Sequence, residues 1–412
     1  MHQITRRALL ALAAAVAISP AFALPASALD VSDWATVEKE AKGQTVYFHA
    51  WGGSQAINDY IRWAGDTLKE RHGVTLEHVK LEDTATAVAT VLAEKTAGRD
   101  DGGRVDLIWI NGENFAAMKR QDLLLTPGWA PSLPNYALAD TVGIPTIETD
   151  FTIPTEGLES PWGGAKLIFF HDTAMTKPED MPKSVAGLAD WTAANTGRFS
   201  YPAPPDFIGS SFLKQALSET IAEPAKLLQP VDEATFEADV EPLFALLDRM
   251  HPNLWRSGRA FVKNYPAMVQ GLADGELDIA FAFNPGEASS AIAQGRLPET
   301  VRSFTFPGGT LGNTHFVAVP FNANAKAGAL VTANFLLSPE AQARKQDPAV
   351  WGDPTVLNVA ALPDAERARF EKLDLGIATL PPEKLGPVLP EPHPSWMTAI
   401  EEEWKRRYSA GN

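Results

Sequence analysis

Short runs of β-branched and aromatic residues alternate along the chain with stretches in which apolar residues recur at helical spacing. The first run is Thr45–Trp51 (TVYFHAW), and Gly52 and Gly53 separate it from Ser54, which stands where a helix N-cap belongs. The apolar positions that follow share one helical face and are Ile57, Tyr60, Ile61, Ala64 and Leu68. This pattern predicts a strand, a tight turn and a helix whose N-terminus faces the carboxyl end of the strand.

The same alternation continues in the next part of the chain. Val74–Leu81 and Val105–Ile110 (VDLIWI) are predicted as the second and third strands, with a helix over Thr84–Thr96 between them. Strands separated by helices form βαβ units, because a parallel neighbour is reached only through a crossover connection. We therefore predict an α/β fold with a mostly parallel sheet.

Two later junctions repeat the strand-to-helix pattern. A strand predicted at Arg198–Pro202 leads to Gly209-Ser210-Ser211, where we expect a helix to start. A strand predicted at Leu277–Phe283 leads to a helix in which Asn284 is the N-cap and Glu287 the third residue of a capping box. Proline-rich chain then precedes a final predicted helix from Trp396 to Tyr408.

The N-terminal part of the chain has the composition of an export signal. A basic head with Arg6-Arg7 precedes the apolar run Ala8–Ala23, which would span about 24 Å as a helix, short of the roughly 30 Å hydrocarbon core of a membrane. Small residues fit cleavage before Leu29, with an earlier alternative before Leu24. We predict a signal peptide over 1–28 and a mature protein that is not embedded in a membrane. The arginine pair resembles a twin-arginine signal, although the general secretory route also accepts such a head.

Composition and charge narrow the chemistry. The chain has 412 residues, which suggests two or three domains, and no cysteine, which excludes disulfides, thiolate metal sites and cysteine nucleophiles. A formal net charge of −16 repels phosphate backbones, so we do not expect nucleic acid as a partner. The eight histidines are scattered, and the motifs of zinc proteases, serine hydrolases and phosphate-binding loops are absent. We predict no catalytic residue, no metal and no cofactor.

The order of several segments resembles the solute-binding proteins of bacterial ABC importers. These segments are TVYFHAWGGS, VDLIWINGEN, FSYPAPPDFIGSSF, GELDIAFAFNPGEA and GGTLGNTHFVAVP. The resemblance is closest to extracellular solute-binding family 1, in its YnjB-like branch. It implies a type II two-lobe fold with two strand crossovers, a ligand cleft between the lobes, and a monomer in the periplasm. It also implies delivery of a small solute to a permease and its ATPase.

From this resemblance we place the domain boundaries. Lobe 1 is expected over 29–160 plus 314–350, and lobe 2 over 161–313. The C-terminal segment 351–412 is expected to pack across both lobes.

Ligands of such folds bind outside the carboxyl ends of the strands, so the loops after the predicted strands form the candidate site. Trp51 would offer an aromatic face, and Ser54 a hydroxyl beside a helix N-terminus. Asn111 and Glu113 follow the third strand. The alternative for each is structural: a packed tryptophan, or a residue that caps a helix.

The later junctions supply charged and hydroxyl groups. Ser210 and Ser211 are the strongest anion-site candidates, since two hydroxyls would join free N–H groups at a helix start. Asp206 and Glu287 are candidates for holding a ligand cation. Simple helix capping is the alternative for these residues, and for Glu287 it is the capping box.

Three further residues complete the predicted ligand-binding set. Trp162 is expected near the first crossover, where its ring would stack on a ring or a quaternary ammonium group. Asn284 follows a predicted strand, and Asn313 is expected at the start of the second crossover. The alternatives are a core tryptophan, a helix cap and a plain turn.

Three hypotheses on ligand and function remain open from the sequence. The first is a small organic cation or zwitterion with an anionic group, such as a thiamine-like compound or a phosphorylated amine, held by aromatic faces, a carboxylate and the serine junction. The second is a simple oxyanion or polyol held by helix N-termini alone. The third is a hydrolase or transferase on the same two-lobe architecture.

Overall fold

The computed structural model describes residues 30–31 and 33–409, so the predicted signal peptide over 1–28 lies outside the described residues. The helices are α1 (Trp34–Ala41), α2 (Gln55–His72), α3 (Ala85–Thr96), α4 (Glu113–Arg120), α5 (Val185–Ala194), α6 (Phe207–Thr220), α7 (Phe236–Met250), α8 (Tyr265–Ala273), α9 (Glu287–Ala293), α10 (Lys326–Leu336), α11 (Pro339–Gln346), α12 (Asp364–Glu371) and α13 (Pro394–Tyr408). The strands are β1 (Thr45–Trp51), β2 (Thr75–Leu81), β3 (Leu107–Ile110), β4 (Thr149–Asp150), β5 (Ile153–Pro154), β6 (Glu159–Lys166), β7 (Ile168–Asp172), β8 (Ile279–Ala282), β9 (Val301–Phe304), β10 (Thr310–Ala318) and β11 (Val388–Leu389).

The larger of the two main sheets has the strand order β11-β10-β3-β1-β2, and β6 also pairs with β10. Alternate residues of its strands face opposite sides: Leu107 packs in the core under α1, α2 and α10, whereas Ile108 and Ile110 pack in the core under α3 and α4. The sheet therefore lies between two helix layers. We call this sheet with α1–α4 and α10–α12 lobe 1.

The smaller sheet has the order β8-β7-β9 and is antiparallel. Among the strands of the described residues, only β1, β2, β3 and the short β10–β11 pair run parallel, so the prediction of a mostly parallel sheet is wrong outside this region. Helices between strands permit either direction when the connection is long enough to return to the other end of the sheet. We call this sheet with α5–α9 and α13 lobe 2.

The strand predicted at Arg198–Pro202 is not formed. This segment joins the rest of the chain through single contacts, which include a bridge between Pro202 and Val262 and a hydrogen bond from the N–H of Trp255 to the carbonyl of Phe199. Prolines at 202, 204 and 205 have no N–H groups, so the segment cannot build a continuous ladder.

The chain passes between the lobes three times, from β6 into β7, from β9 into β10, and from β11 into α13. The domain boundaries predicted at 161 and 313 fall within β6 and β10, so 161–166 and 310–313 belong to the larger sheet. These strands are longer than the sequence pattern indicated.

The C-terminal segment contacts both lobes. Strand β11 pairs with β10, and α13 places Trp396, Ile400 and Trp404 in the core of lobe 2. These residues are spaced four apart, so they lie on one face of the helix. Helix α13 also packs against α4 of lobe 1.

Candidate functional site

Four carboxyl groups from separate parts of the chain come together between the lobes. Asp83 follows β2, Glu113 begins α4 after β3, Asp206 precedes α6, and Glu401 lies on α13. Burial raises the pKa of each of the other three, and the negative charge of Asp83 acts in the same direction. We call these residues the inter-lobe carboxyl cluster.

The position of Glu113 is set by a fixed loop. Gly112 precedes it with a φ of 63°, a conformation that favours glycine. The buried side chain of Asp150 accepts the Gly112 N–H with both oxygens, at 2.8 and 2.7 Å. A Cβ atom on Gly112 would lie 2.7 Å from the ring of Phe151. Both the hydrogen bonds and the close approach therefore hold this loop at the carboxyl end of β3.

Glu113 has an unusual charge environment. Burial raises its pKa to about 7, the charges of Glu401 and Asp83 act in the same direction, and Lys214 opposes them. The side-chain amide of Asn114 donates to Oε1 of Glu113 at 2.8 Å. Because this pKa lies near neutral pH, the positive charge of a nearby cation would favour the ionised form of the carboxyl group.

Lys214 of α6 is already paired. Its ammonium group is fully buried and donates to Oε2 of Glu391 at 2.7 Å. It also lies over the rings of Phe151 and Phe207, at 4.1 and 5.5 Å from their centroids. The other oxygen of Glu391 accepts from Asn313 at 2.9 Å. Because Glu391 balances Lys214, this lysine cannot fully neutralise the inter-lobe carboxyl cluster.

The predicted residues at the end of β1 and β3 lie at the carboxyl edge of the larger sheet. Trp51 is partly exposed, and its ring covers Gly53 so closely that a Cβ there would lie 2.3 Å from it. Ser54 occupies the predicted N-cap position of α2, but its side chain forms no capping hydrogen bond. Asn111 is partly exposed. Their contact with a ligand remains a prediction.

Trp162 is a core residue. Its side chain is fully buried on β6, and its ring packs against Phe48, Trp109 and Trp351 at centroid distances of 5.6, 5.0 and 5.3 Å. No part of the ring is accessible in this structure, which fits the alternative that Trp162 is a core tryptophan and does not stack on a ligand. A strand residue on the helix-covered face of a sheet is buried whatever its position along the chain.

The junction at Asp206 differs from the prediction. Helix α6 begins at Phe207, two residues before Gly209, and Asp206 accepts the N–H groups of Ile208 and Gly209. The helix N-terminus is thus occupied by the carboxylate of Asp206, a residue type that the N-cap position strongly favours. Free N–H groups at Ser210 and Ser211, on which the predicted anion site depended, are not available.

Both serines are buried inside α6. The hydroxyl of Ser210 donates to Glu401, a member of the inter-lobe carboxyl cluster. The hydroxyl of Ser211 donates to the carbonyl of Phe207 at 2.8 Å, within its own helix. Ser210 therefore contributes to the site by donating a hydrogen bond to Glu401, and its hydroxyl is not free to bind an anionic ligand.

The last predicted residues are scattered around the site. Helix α9 begins at Glu287 with Gly286 at the N-cap, so the predicted capping box is wrong; Asn284 instead accepts the N–H of Gly286 at 3.0 Å. Glu287 forms an ion pair with Arg296 at 3.2 Å, so its carboxylate is already partly neutralised and would attract a ligand cation less strongly. Asn313 lies within β10, buried against Glu391, and not in a turn.

Several site residues were not predicted from the sequence. Asp83 follows a predicted strand, so the rule that selected Asn111 and Glu113 also selects it. The sequence pattern did not indicate the other three residues. Lys214 lies within α6, Glu391 in the proline-rich segment and Glu401 within α13, so none of them follows a strand.

An open groove continues from the site. It has a volume of about 1190 Å³ and runs between α3 and α4 of lobe 1 and α13 of lobe 2, with Glu113 among its lining residues. Within the described part of the chain, no group of three or more histidine, aspartate or glutamate side chains is arranged to hold a metal ion. No helix of the same residues is long and apolar enough to cross a membrane.

Comparisons with known proteins give consistent results. A family model described as bacterial extracellular solute-binding protein matches residues 63–369. Protein YnjB of Escherichia coli (strain K12) is 47% identical over 381 residues, which are 92% of this chain and 95% of that protein.

Solved structures with a similar fold are much more distant in sequence. The periplasmic binding protein AfuA from Actinobacillus pleuropneumoniae, with fructose-6-phosphate bound, has a TM-score of 0.60 at 14% identity, over 89% of this chain and 99% of that one. A putative spermidine/putrescine ABC transporter from Listeria monocytogenes has a TM-score of 0.59 at 16% identity, over 89% and 99%. At these identities the likeness shows the fold alone.

Proposed function

The chain belongs to the bacterial extracellular solute-binding protein family and is the solute-binding component of an ABC transporter, and on this premise we propose that it captures a small organic cation or zwitterion. The type II two-lobe fold predicted from the sequence is confirmed. The proposed ligand binds between the lobes and is delivered to a permease and its ATPase. This choice keeps the first of the three sequence hypotheses.

The observation that carries the proposal is the excess of negative charge between the lobes. Asp83, Glu113, Asp206 and Glu401 contribute four carboxyl groups, and Lys214 is paired with Glu391 outside that set. Asp83 is exposed, whereas Glu113, Asp206 and Glu401 are partly buried. Removing a carboxylate from water is costly unless a cation or hydrogen bonds compensate it. A ligand ammonium group would supply that compensation, whereas an oxyanion would add to the repulsion.

The inter-lobe carboxyl cluster contains residues from both lobes, so the binding of a cation there would favour closure of the two lobes. Asp83 and Glu113 come from lobe 1, and Asp206 and Glu401 from lobe 2. A cation placed among them is attracted to both lobes at once, so it shifts an open–closed equilibrium toward the closed form. The closed form would then dock on the permease.

The Listeria neighbour is named for spermidine and putrescine, which are organic cations. Because that likeness shows the fold alone, the proposal rests on the carboxyl groups of this chain.

The proposal is tested by calorimetry with the purified protein and matched compounds. Putrescine, choline and 4-aminobutyrate represent cations and zwitterions, while phosphate and glycerol represent anions and polyols. We expect binding in the first group and a loss of at least tenfold in affinity for Glu113→Gln, about 1.4 kcal/mol. Glu77→Gln, an exposed glutamate on β2, is the control. Binding of phosphate or glycerol alone would contradict the proposal.

A further inference from the structure

One face of α3 lines the groove beside the inter-lobe carboxyl cluster. The lining residues are Ala85, Val88, Ala89 and Leu92. Their spacing of three, four and seven residues places them in a single stripe along the helix. The stripe is entirely apolar, so this wall of the groove offers contact but no hydrogen bonds from side chains.

Helix α4 forms the next wall and has a different character at each end. Its lining residues with the same spacing are Glu113, Ala116, Ala117 and Arg120. An acid at the first residue and a guanidinium group at the last are separated by two alanines. Seven residues at about 1.5 Å each put the two charged residues about 10 Å apart along the helix axis.

The charged residues at the two ends of this wall are Glu113 and Arg120, and they differ in their charged neighbours. Glu113 belongs to the carboxyl cluster, which has an excess of negative charge. Among the described residues, no carboxylate forms an ion pair with Arg120, whereas its neighbour Lys119 is paired with Glu156 at 3.1 Å. Arg406 across the groove is paired with Glu403. Of the described lysine and arginine side chains that line the groove, Arg120 is therefore the one whose charge is left for a ligand.

We propose that the groove binds an elongated zwitterion, with its ammonium group at Glu113, an apolar chain along the apolar residues of α3 and α4, and its anionic group at Arg120. This inference rests on the proposed function and names its substrate class. The volume of about 1190 Å³ lies above the usual range of ligand pockets, roughly 300–1,000 Å³, so the groove has room for a ligand longer than a compact cation. Opposite charges at the two ends would also fix the orientation of the ligand.

Chain length is the first measurable consequence. Calorimetry of the full mature chain compares 4-aminobutyrate, 6-aminohexanoate, 8-aminooctanoate and octylamine. Each buried methylene contributes about a fourfold gain in affinity. We expect 8-aminooctanoate to bind at least tenfold more tightly than 4-aminobutyrate, and more tightly than octylamine, which lacks the anionic group.

Variants then separate the two parts of the groove. Arg120→Gln should weaken 8-aminooctanoate at least fivefold and leave octylamine unchanged; Arg259→Gln, an exposed arginine outside the groove, is the matched control. Ala89→Trp should fill the groove and remove the advantage of the long chain. Thr86→Trp, exposed on α3 but outside the groove, controls for the size of the new side chain. Thermal unfolding of each variant verifies that it folds.

The outcomes distinguish this inference from the proposed function. If short cations bind with a dependence on Glu113, but chain length and Arg120→Gln have no effect, the groove assignment is overturned and the proposed function stands. If no organic cation of any length binds, the proposed function itself falls. A loss of binding in Thr86→Trp equal to that in Ala89→Trp would also count against the groove.

Discussion

The ammonium group of Lys214 lies 4.1 Å from the ring centroid of Phe151. Lys214 is on α6 of lobe 2, whereas Phe151 follows β4, which packs against β10 of lobe 1. The contact is buried and is completed by the ion pair between Lys214 and Glu391. A cation held over an aromatic ring between the lobes thus joins them within the protein itself.

We expect Lys214→Met to reduce the free energy of unfolding by about 3–5 kcal/mol, because it leaves the buried carboxylate of Glu391 without its cation. Urea denaturation measures the change. The double variant Lys214→Met with Glu391→Gln should recover part of the loss, since it removes both charges. Equal stability of the two variants would show that the ion pair is not the cause.

The raised pKa of Glu113 predicts a dependence of stability on pH. Its pKa of about 7 in the folded chain lies above the ordinary 4.5, so the folded state favours the protonated carboxyl group. The stabilising effect is complete below pH 4.5 and is lost as the pH rises to 7. Glu113→Gln should match the wild type at pH 4 and exceed its stability at pH 8 by at most about 3 kcal/mol.

The same group predicts a pH dependence of cation binding. Below pH 7 most Glu113 side chains are protonated and attract an ammonium group less. Affinity for putrescine should rise by up to about tenfold per pH unit as the pH approaches 7 from below, and then level off. Calorimetry across this range measures the effect. In Glu113→Gln the slope should be smaller, and an unchanged slope would assign it to another group.

Two tryptophans should respond differently to truncation. Trp162→Ala removes a fully buried ring and should cost about 3–5 kcal/mol of unfolding free energy. Trp51→Ala removes a partly exposed ring at the carboxyl edge of the sheet and should cost less than about 2 kcal/mol. Ligand affinity should fall by at least fivefold in Trp51→Ala. If affinity is unchanged there, Trp51 is a packing residue only.

The start of α6 gives a matched pair of substitutions. Asp206→Ala removes the side chain that accepts from Ile208 and Gly209 and should cost about 1 kcal/mol. Ser211→Ala removes only a bond to the carbonyl of its own helix and should cost less than about 0.5 kcal/mol. Chemical denaturation compares them. A larger cost for Ser211 would contradict the cap assignment.

We expect the exported protein to begin at Leu29 or Leu24. N-terminal sequencing of material from the periplasm tests this, and retention of Met1 in a cytoplasmic pool would contradict it. Replacing Arg6 and Arg7 together by lysine keeps a basic head. Export should stop if the twin-arginine route is used and continue if the general secretory route is used.

Local patterns in the sequence were sufficient for those elements whose structure depends on neighbouring residues. Thr45–Trp51 forms β1 with the predicted bounds, and α2 begins directly after Ser54. The helix predicted from Trp396 to Tyr408 is α13, which starts two residues earlier. In each case alternating or helical apolar spacing, a glycine turn or a capping residue acts within a few residues of chain.

The site itself was only partly accessible to such reasoning. The rule that ligands bind at the carboxyl ends of strands selected Glu113, and it also fits Asp83. It could not decide between Asp206 and the serines as the start of α6, because aspartate and serine favour that position about equally. Nor could it show that Trp162 faces the core, since the face of a strand depends on what packs against each side of the sheet.

By itself, then, the sequence determined an α/β chain with strands followed by helices, and the loops at which the lobe 1 carboxylates lie. Only the tertiary structure decided that Lys214 pairs with Glu391, 177 residues away, and that Glu401 of α13 joins Asp83 and Glu113. The physical reason is that charges interact through space and are strengthened by burial. Which groups share a buried region is fixed by how the two lobes and the C-terminal helix pack, and no local pattern along the chain records that packing.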